Sequence, residues 1–236
     1  MKPKTALPFM LAGLVATWCL VAPASAQQKP TVQIPEPGVP EIMTMEGRFV
    51  RAAYNNEGYA ILGYQLANRS LGEEWMLLEF GVALRERMPD YNMPRAALSL
   101  ETPDGKTLPL PSVIELRGSG AQTGLQNRAK VQSDSINYFP PSAYQPCAIG
   151  FFPELGARAL PQDDIPMSDR KACVGRLYFH VPGGIKYGLH WLNVKFAKSV
   201  VRVPFRILTA EEEKLLSKNF GDIRKQVQEA FAPKKK

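Results

Sequence analysis

The sequence predicts an all-β fold: an antiparallel β-sandwich of about seven or eight strands, with a long irregular insertion and a C-terminal amphipathic helix. Segments in which apolar and polar residues alternate recur along the chain, and turn-forming residues separate them about every 8 to 12 positions. No helical pattern alternates with these segments. The most regular stretch, 173–207, contains three such runs and is the clearest indication of antiparallel strands.

The first 26 residues have the order of a secretory signal peptide. Lys2 and Lys4 precede an apolar segment at 9–22, and the small residues of 24–26 precede a polar Gln27. The apolar segment is shorter than the roughly 20 residues that a transmembrane helix needs. We therefore expect an exported protein, periplasmic or secreted, with no transmembrane span after signal cleavage.

The positive charge of the chain is concentrated at its two ends. The formal net charge is +7, and Lys2, Lys4 and the final run 234–236 account for most of it. The part that is expected to fold is therefore close to balanced in charge. For this reason we do not expect nucleic acid as a partner.

The segment 27–46 is predicted to be a proline-rich tether, because proline cannot continue a helix or a central strand. Its prolines are Pro30, Pro35, Pro37 and Pro40. The β-sandwich domain is predicted to follow, over 47–208. Period-two alternation, bounded by turns at 55–58 and 103–106, predicts its first strands at 48–54, 59–67, 76–85 and 97–102, with an edge strand at 108–116.

The alternation stops over 117–172, where turn formers predominate. The glycine-rich run 118–124 lacks the context and spacing of a dinucleotide loop, so it predicts a flexible loop. Five aromatic residues in this insertion are too many for a disordered linker. We expect an ordered but irregular insertion that packs these rings on the sandwich: Tyr138, Phe139, Tyr144, Phe151 and Phe152.

Two cysteines, Cys147 and Cys173, remain once Cys19 is removed with the signal peptide. In an exporting compartment they are expected to form a disulfide, which would close a loop of about 25 residues and stabilise the fold by roughly 3 to 4 kcal/mol. Two free thiols are the alternative, and an oxidising space disfavours it. Metal binding would need more ligands than two cysteines supply, so no metal is predicted.

Alternation along the strands of 173–207 separates an apolar face from a basic and aromatic face. Flat rings beside cations suit a protein partner or an acidic envelope component, such as an acidic glycan or an anionic lipid headgroup. The alternative is that the insertion or the C-terminal helix covers the rings and leaves the charges at the rim. The candidate binding residues on this face are Arg176, Tyr178, His180, Trp191, Lys195, Arg202 and Arg206.

A helix is predicted in the last part of the chain, 209–236, followed by a basic tail. Thr209 and Glu212 have the spacing of a capping box. An apolar stripe follows, formed by Leu216, Phe220, Ile223, Val227 and Phe231. Such a stripe is too costly to leave in water, so it is expected to dock on its own sheet, on a second copy or on an envelope partner.

The signal peptide, the strand spacing, the turn at 103–106 and the final three strands together carry one resemblance. Over 47–208 the chain resembles the immunoglobulin-like sandwich modules of bacterial exported proteins of unassigned function. It departs from true immunoglobulin domains because no tryptophan falls between Cys147 and Cys173. The resemblance implies no functional residue. A closed up-and-down barrel is the alternative fold.

No catalytic motif or cofactor loop is recognisable, so no cofactor is predicted. His180 and His190 lack an implied nucleophile and orienting acid, and we interpret them as surface and turn residues. Our first hypothesis is a non-enzymatic exported binding or assembly module that uses the basic and aromatic face, the helix, or both. The second is a hydrolase acting on envelope material, with its site in 117–172. A deep polar pocket with acid, base and nucleophile would favour the hydrolase, and a flat patch or groove the binding module.

Overall fold

The computed structural model describes residues 42–231, which form twelve strands and five α-helices. A mostly β fold with antiparallel sheets is thereby confirmed. The predicted signal peptide, 1–26, and most of the predicted tether lie outside the described residues.

The strands are β1 Ile42–Gly47, β2 Val50–Tyr54, β3 Gly58–Gly63, β4 Trp75–Leu84, β5 Tyr91–Pro94, β6 Leu98–Glu101, β7 Thr107–Pro109, β8 Gln145–Ala148, β9 Asp164–Met167, β10 Lys171–His180, β11 Gly188–Lys195 and β12 Val200–Ile207. The helices are α1 Gln65–Asn68, α2 Val113–Gly118, α3 Ala121–Val131, α4 Ala210–Lys218 and α5 Phe220–Ala230. A single 3₁₀ turn, Arg95–Ala97, precedes β6.

Two larger sheets pack in a sandwich-like arrangement. Sheet 1 has the order β1-β2-β3-β4-β10-β8, and sheet 2 has the order β12-β11-β6-β7. A third sheet contains only β5 and β9. Neighbouring strands are antiparallel except β8 and β10, which are parallel. Close packing between the two larger sheets is visible at Gly58 of β3, where a side chain would collide with the Phe196 ring that follows β11.

The three predicted strands of 173–207 do not lie in one sheet. β10 pairs with β4 in sheet 1, whereas β11 and β12 pair with each other in sheet 2. The crossing lies at Gly183 and Gly184, which have φ angles of 81° and 84° that favour glycine. Gly184 also lies against the Gly72 backbone, where a side chain would collide. Alternation predicted the strands correctly, but it does not specify which strand each one pairs with.

Strand β4 is buried on both faces. One face carries Met76, Leu78 and Phe80 into the core between the sheets, and all three are fully buried. On its other face, Leu77 is 1% exposed and Gly81 lies against the ring of Phe139. Alternation over 76–85 is typical of a strand with one buried face. The structure differs because a third layer covers the outer face of sheet 1.

This third layer comes from residues 113–163, which we call the covering segment; within the segment, only β8 joins the edge of sheet 1. Ile136 and Phe139 of the covering segment pack on Val50, Ala52 and Ile61 of sheet 1. The expectation that the aromatics of the insertion pack on the sandwich therefore holds for Phe139. It holds for Phe151 and Phe152 too, which are 0% and 6% exposed.

The insertion 117–172 is less irregular than predicted, since it contains helix α3 and strands β8 and β9. The glycine-rich run 118–124 is not simply a loop. Gly120 takes a φ of 72° and is the N-cap of α3, which includes Gly124. The helix was missed because two glutamines, Gln122 and Gln126, share its buried face with Leu125 and Ala129. That composition weakens the apolar stripe on which a helix prediction depends.

The disulfide between Cys147 and Cys173 is confirmed, with a Cα–Cα distance of 4.1 Å. The two cysteines are direct neighbours in the parallel pair β8 and β10. The bond therefore ties the covering segment to sheet 1.

Three predicted boundaries also change. The tether does not extend through 27–46, because 42–47 is strand β1, in which Met43 and Met45 alternate into the core. The strand predicted over 59–67 ends at Gly63 and gives way to α1. The edge strand predicted over 108–116 ends at Pro109, and Ser112 caps α2 by accepting a hydrogen bond from the Glu115 amide at 3.2 Å.

The C-terminal helix is divided into α4 and α5 at Asn219. The predicted capping box is present, because the Glu212 amide donates to Thr209 Oγ1 at 3.2 Å and the Thr209 amide donates to Glu212 Oε2 at 3.0 Å. α5 packs against β1 of the same chain. Val227 and Phe231 are each 2% exposed. Leu216, Val227 and Phe231 of the stripe are thus buried within the chain, and Phe220 and Ile223 are partly buried against the same core.

We predict that Val227→Asp destabilises the monomer by about 3 to 5 kcal/mol, because it places a carboxylate without a partner in a buried position. Lys225→Ala on the same helix is the control and should change the free energy of unfolding by less than about 0.5 kcal/mol, since Lys225 is 77% exposed. Urea denaturation measures both. Equal stability of the two variants would contradict the docking of α5.

Replacing both cysteines by serine should lower the free energy of unfolding by about 3 kcal/mol, because the bond closes a loop with a sequence separation of 26. Hydrogen exchange should increase more in the covering segment than in β11 and β12, which the bond does not touch. A uniform increase in exchange over the whole chain would contradict the anchoring role of the disulfide.

Candidate functional site

The seven candidate binding residues do not form one surface. Three of them, Arg176, Tyr178 and His180, lie on β10 in sheet 1, and the other four lie on β11 and β12 in sheet 2. Tyr178 is 0% exposed. Its ring lies edge-on to Phe152 of the covering segment, with 5.2 Å between centroids. The structure therefore agrees with the alternative expectation for Tyr178, that the insertion covers its ring.

The arginines of the predicted basic face are paired with carboxylates of the same chain. Arg202 Nη2 lies 2.6 Å from Glu101, and its guanidinium stacks over Trp191 at 4.6 Å. Arg206 pairs with Glu212 at 2.8 Å. These pairs offset most of the attraction that sheet 2 would have for an acidic ligand. Lys195 is exposed at the end of β11.

The two histidines have different surroundings. His180 stacks on Trp75 and lies 4.0 Å from Glu74 and 3.9 Å from Glu115. His190 is 0% exposed and stacks on Phe205 in sheet 2. Burial lowers the pKa of His190 to about 4, so it is neutral near pH 7. Its place inside the sheet indicates a packing role rather than the turn position expected from the sequence.

A cleft of about 540 Å³ lies between the outer face of sheet 1 and the covering segment. Glu79 of β4 and Arg176 and Tyr178 of β10 line its floor. Gln126 of α3 and the segment from 148 to 154 form much of its wall. The sequence therefore predicted two of the floor residues, Arg176 and Tyr178, but not the space that they face.

Two glycines of sheet 1 allow close contact with the covering segment. Gly63 and Gly81 pair with Glu79 and Ile61 respectively, and both glycines let the covering segment approach the sheet closely. An added side chain at Gly63 would come within 2.6 Å of Asp134, and one at Gly81 within 2.6 Å of Phe139.

An ion cluster lies on the cleft floor. Arg176 Nη1 donates to Glu154 Oε1 at 3.0 Å, while Arg176 Nε lies 3.7 Å from Glu79, beyond hydrogen-bond distance. The Glu79 side chain is only 13% exposed. Its burial raises its pKa to about 7; Arg176 opposes this shift and Asp134 adds to it.

Asp134 is a second carboxyl group with a raised pKa, and it lies in the covering segment. Burial raises its pKa to about 6, although Asp134 Oδ2 accepts a hydrogen bond from the Gln65 amide at 2.8 Å. The negative charge of Asp134 repels that of Glu79, and this repulsion raises the pKa of Glu79 further.

Two buried polar atoms beside the cleft have no hydrogen-bond partner in the described structure: the Tyr178 hydroxyl and Gln126 Nε2. Gln126 Oε1, by contrast, accepts from the Leu155 amide at 3.2 Å. Buried groups of this kind are normally satisfied by protein, water or ligand. Gln126 lies close enough to the Tyr178 hydroxyl to oppose the rise in its pKa that burial causes.

The sequence contains one signal for this site, within strand β4. Glu79 is the only charged residue in the run from Met76 to Leu84. A lone carboxylate within an otherwise apolar strand is unusual when that strand is central. Gln126 gave no comparable signal, because its position is defined only by α3 and its docking.

Comparison with protein-family models, with curated proteins and with solved structures gave no match for this chain. In the described range, no helix combines the length and the apolar character that a membrane crossing would need. The residues of that range also contain no cluster of three or more His, Cys, Asp or Glu side chains suited to a metal ion.

We predict that Glu79→Gln makes the protein more stable at pH 8 and leaves its stability at pH 4.5 nearly unchanged. The pKa of Glu79 is raised from 4.5 in the reference state to about 7 in the fold, so the folded chain binds more protons between these values. Stability due to this group therefore falls as pH rises from about 4.5 to about 7. The variant should remove this loss, which is roughly 2 to 3 kcal/mol.

Denaturant unfolding from pH 4.5 to pH 8 measures this effect. The matched control is Glu154→Gln, since Glu154 contacts the same guanidinium but is 61% exposed. Asp134 should supply the pH dependence that remains in the Glu79 variant. Identical pH profiles for Glu79→Gln and the unmodified protein would contradict the assignment.

Proposed function

We propose that the chain is an exported, non-enzymatic binding module that holds a small ligand in the cleft between sheet 1 and the covering segment. The cleft itself is the observation that carries this proposal. Its volume of about 540 Å³ is within the range of small-molecule sites. Most of its lining surface is apolar, and its polar groups would orient a ligand. The polar lining residues are Glu79, Gln126, Ser133, Asn137, Glu154, Gln162, Arg176 and Tyr178.

A binding role is favoured over catalysis by the chemistry of the lining residues. A hydrolase of the nucleophilic type needs a nucleophile within hydrogen-bond reach of a base. Ser133 and Tyr178 carry the hydroxyl groups that line the cleft, and neither His180 nor His190 lines it. Arg176 is already engaged by Glu154.

Export is the second part of the proposal. It rests on the order of charged, apolar and small residues over 1–26 and on the disulfide between Cys147 and Cys173, a bond that persists in oxidising compartments. The immunoglobulin-like resemblance stays a prediction, as does a protein or acidic envelope component as partner. The paired arginines of sheet 2 give the acidic partner little support.

A second candidate function is the envelope-acting hydrolase, with its site where the insertion 117–172 meets sheet 1. One observation favours it: Glu79 lies in the cleft with a pKa of about 7, which suits a general acid or base. Loss of a hydrolytic activity toward envelope polysaccharide in Glu79→Gln would support this candidate. Absence of any such activity in the unmodified protein would remove it.

The binding proposal is tested by filling the cleft. Val174 lines it and is 36% exposed, so Val174→Trp should occupy the space without disturbing the core. Fluorescence of the neutral apolar probe N-phenyl-1-naphthylamine reports binding. We expect the variant to lose affinity by about tenfold or more.

The matched control is Val200→Trp, because Val200 is 51% exposed on β12 and does not line the cleft. This control should bind the probe as the unmodified protein does. Equal affinity of both tryptophan variants and the unmodified protein would show that the cleft is not the binding site.

A further inference from the structure

We infer that the ligand of the cleft is a small amphiphile whose protonated amine binds to the Glu79 carboxylate while its apolar body lies along the cleft wall. This inference rests on the proposed binding function and adds the chemical class of the ligand. It does not use the sheet 2 arginines that the sequence suggested for an acidic partner.

The first step is the incomplete hydrogen bonding of Glu79. Within residues 42–231 the polar partner of its carboxylate is Arg176, which forms a long ion pair with it, although the side chain is only 13% exposed. The Arg176 Nε atom is 3.7 Å from the carboxylate, and Nη1 donates to Glu154 instead. A largely buried carboxylate that is held by one long ion pair is costly, and an ammonium group that donates to it would remove much of that cost.

The second step is the sign of the surrounding charge. The groups that face Glu79 are Arg176 from β10 and Asp134 from the covering segment, with Glu154 on the far side of the guanidinium. Arg51 acts in turn on Asp134, so two cations stand among three carboxyl groups. An anionic head group would be placed among like charges, whereas a cationic one would improve the balance.

The third step is the apolar wall. Ile149 and Phe152 are 7% and 6% exposed and line the cleft beside Tyr178. Leu160 also lines the cleft but is 84% exposed, an unusual exposure for a leucine beside a concave apolar surface. An alkyl or aryl body would cover this side chain and remove its apolar surface from water.

Calorimetry with three probes of equal chain length tests the inference: octylamine, octanol and octanoate, each added to the full chain at pH 8. At this pH Glu79 is ionised, because its pKa is about 7, and octylamine is protonated. We expect octylamine to bind about tenfold more tightly than octanol and octanoate to bind most weakly. In Glu79→Gln the preference for the amine should disappear while octanol binding is retained. Glu154→Gln should keep the preference, and Val174→Trp should weaken all three.

Equal binding of the three probes, with all of them weakened by Val174→Trp, would overturn the amine inference and leave the binding function standing. A preference for octylamine that survives in Glu79→Gln would place the amine elsewhere and also overturn the inference. If none of the probes binds, both the inference and the proposed function fail.

Discussion

The two-sided burial of strand β4 is the constraint on which the rest of the structure depends. A strand with Met76 and Phe80 on one face and Leu77 on the other is apolar in both directions, so a two-layer sandwich would leave one face in water. Sheet 2 covers the first face. The covering segment supplies the second cover, and Cys147–Cys173 fastens it to β10 beside β4. The cleft lies in this outer interface.

Two glutamates with low exposure, Glu57 and Glu79, differ in how the chain satisfies their carboxylates. Glu57 is 4% exposed, and it accepts hydrogen bonds from the Lys198 amide at 3.0 and 3.1 Å and from Ser199 Oγ at 2.6 Å. It thereby joins the turn before β3 to the turn between β11 and β12. Glu79, whose side chain is 13% exposed, has instead a long ion pair with Arg176 at 3.7 Å. Glu57 is therefore a structural carboxylate that joins two turns, whereas Glu79 uses little of its hydrogen-bonding capacity within the described residues.

Local chemistry in the sequence was enough to predict the features that depend on neighbours along the chain. These include the alternation of β4, the capping box at Thr209 and, with the export signal, the disulfide. Features that depend on distant packing were not predictable in the same way. Alternation along β10 and β11 defines two faces for each strand but not a shared sheet, so Arg176 and Arg202 were wrongly placed together. For the same reason, only part of the site could be predicted. The sequence identified Arg176 and Tyr178, but the pKa of Glu79 is raised only because the folded chain buries its carboxyl group.

The distribution of proline along the sheets bears on how this chain behaves at high concentration. Sheet 1 ends in β8, which contains Pro146, and at its other end α5 packs against β1. Both edges of sheet 2 contain a proline, Pro109 in β7 and Pro204 in β12, and the third sheet has Pro94 and Pro166. Proline offers no amide hydrogen to a foreign strand, so each open edge is a poor template for strand addition. The fold therefore resists edge-to-edge aggregation even though it is built largely from hydrophobic strands.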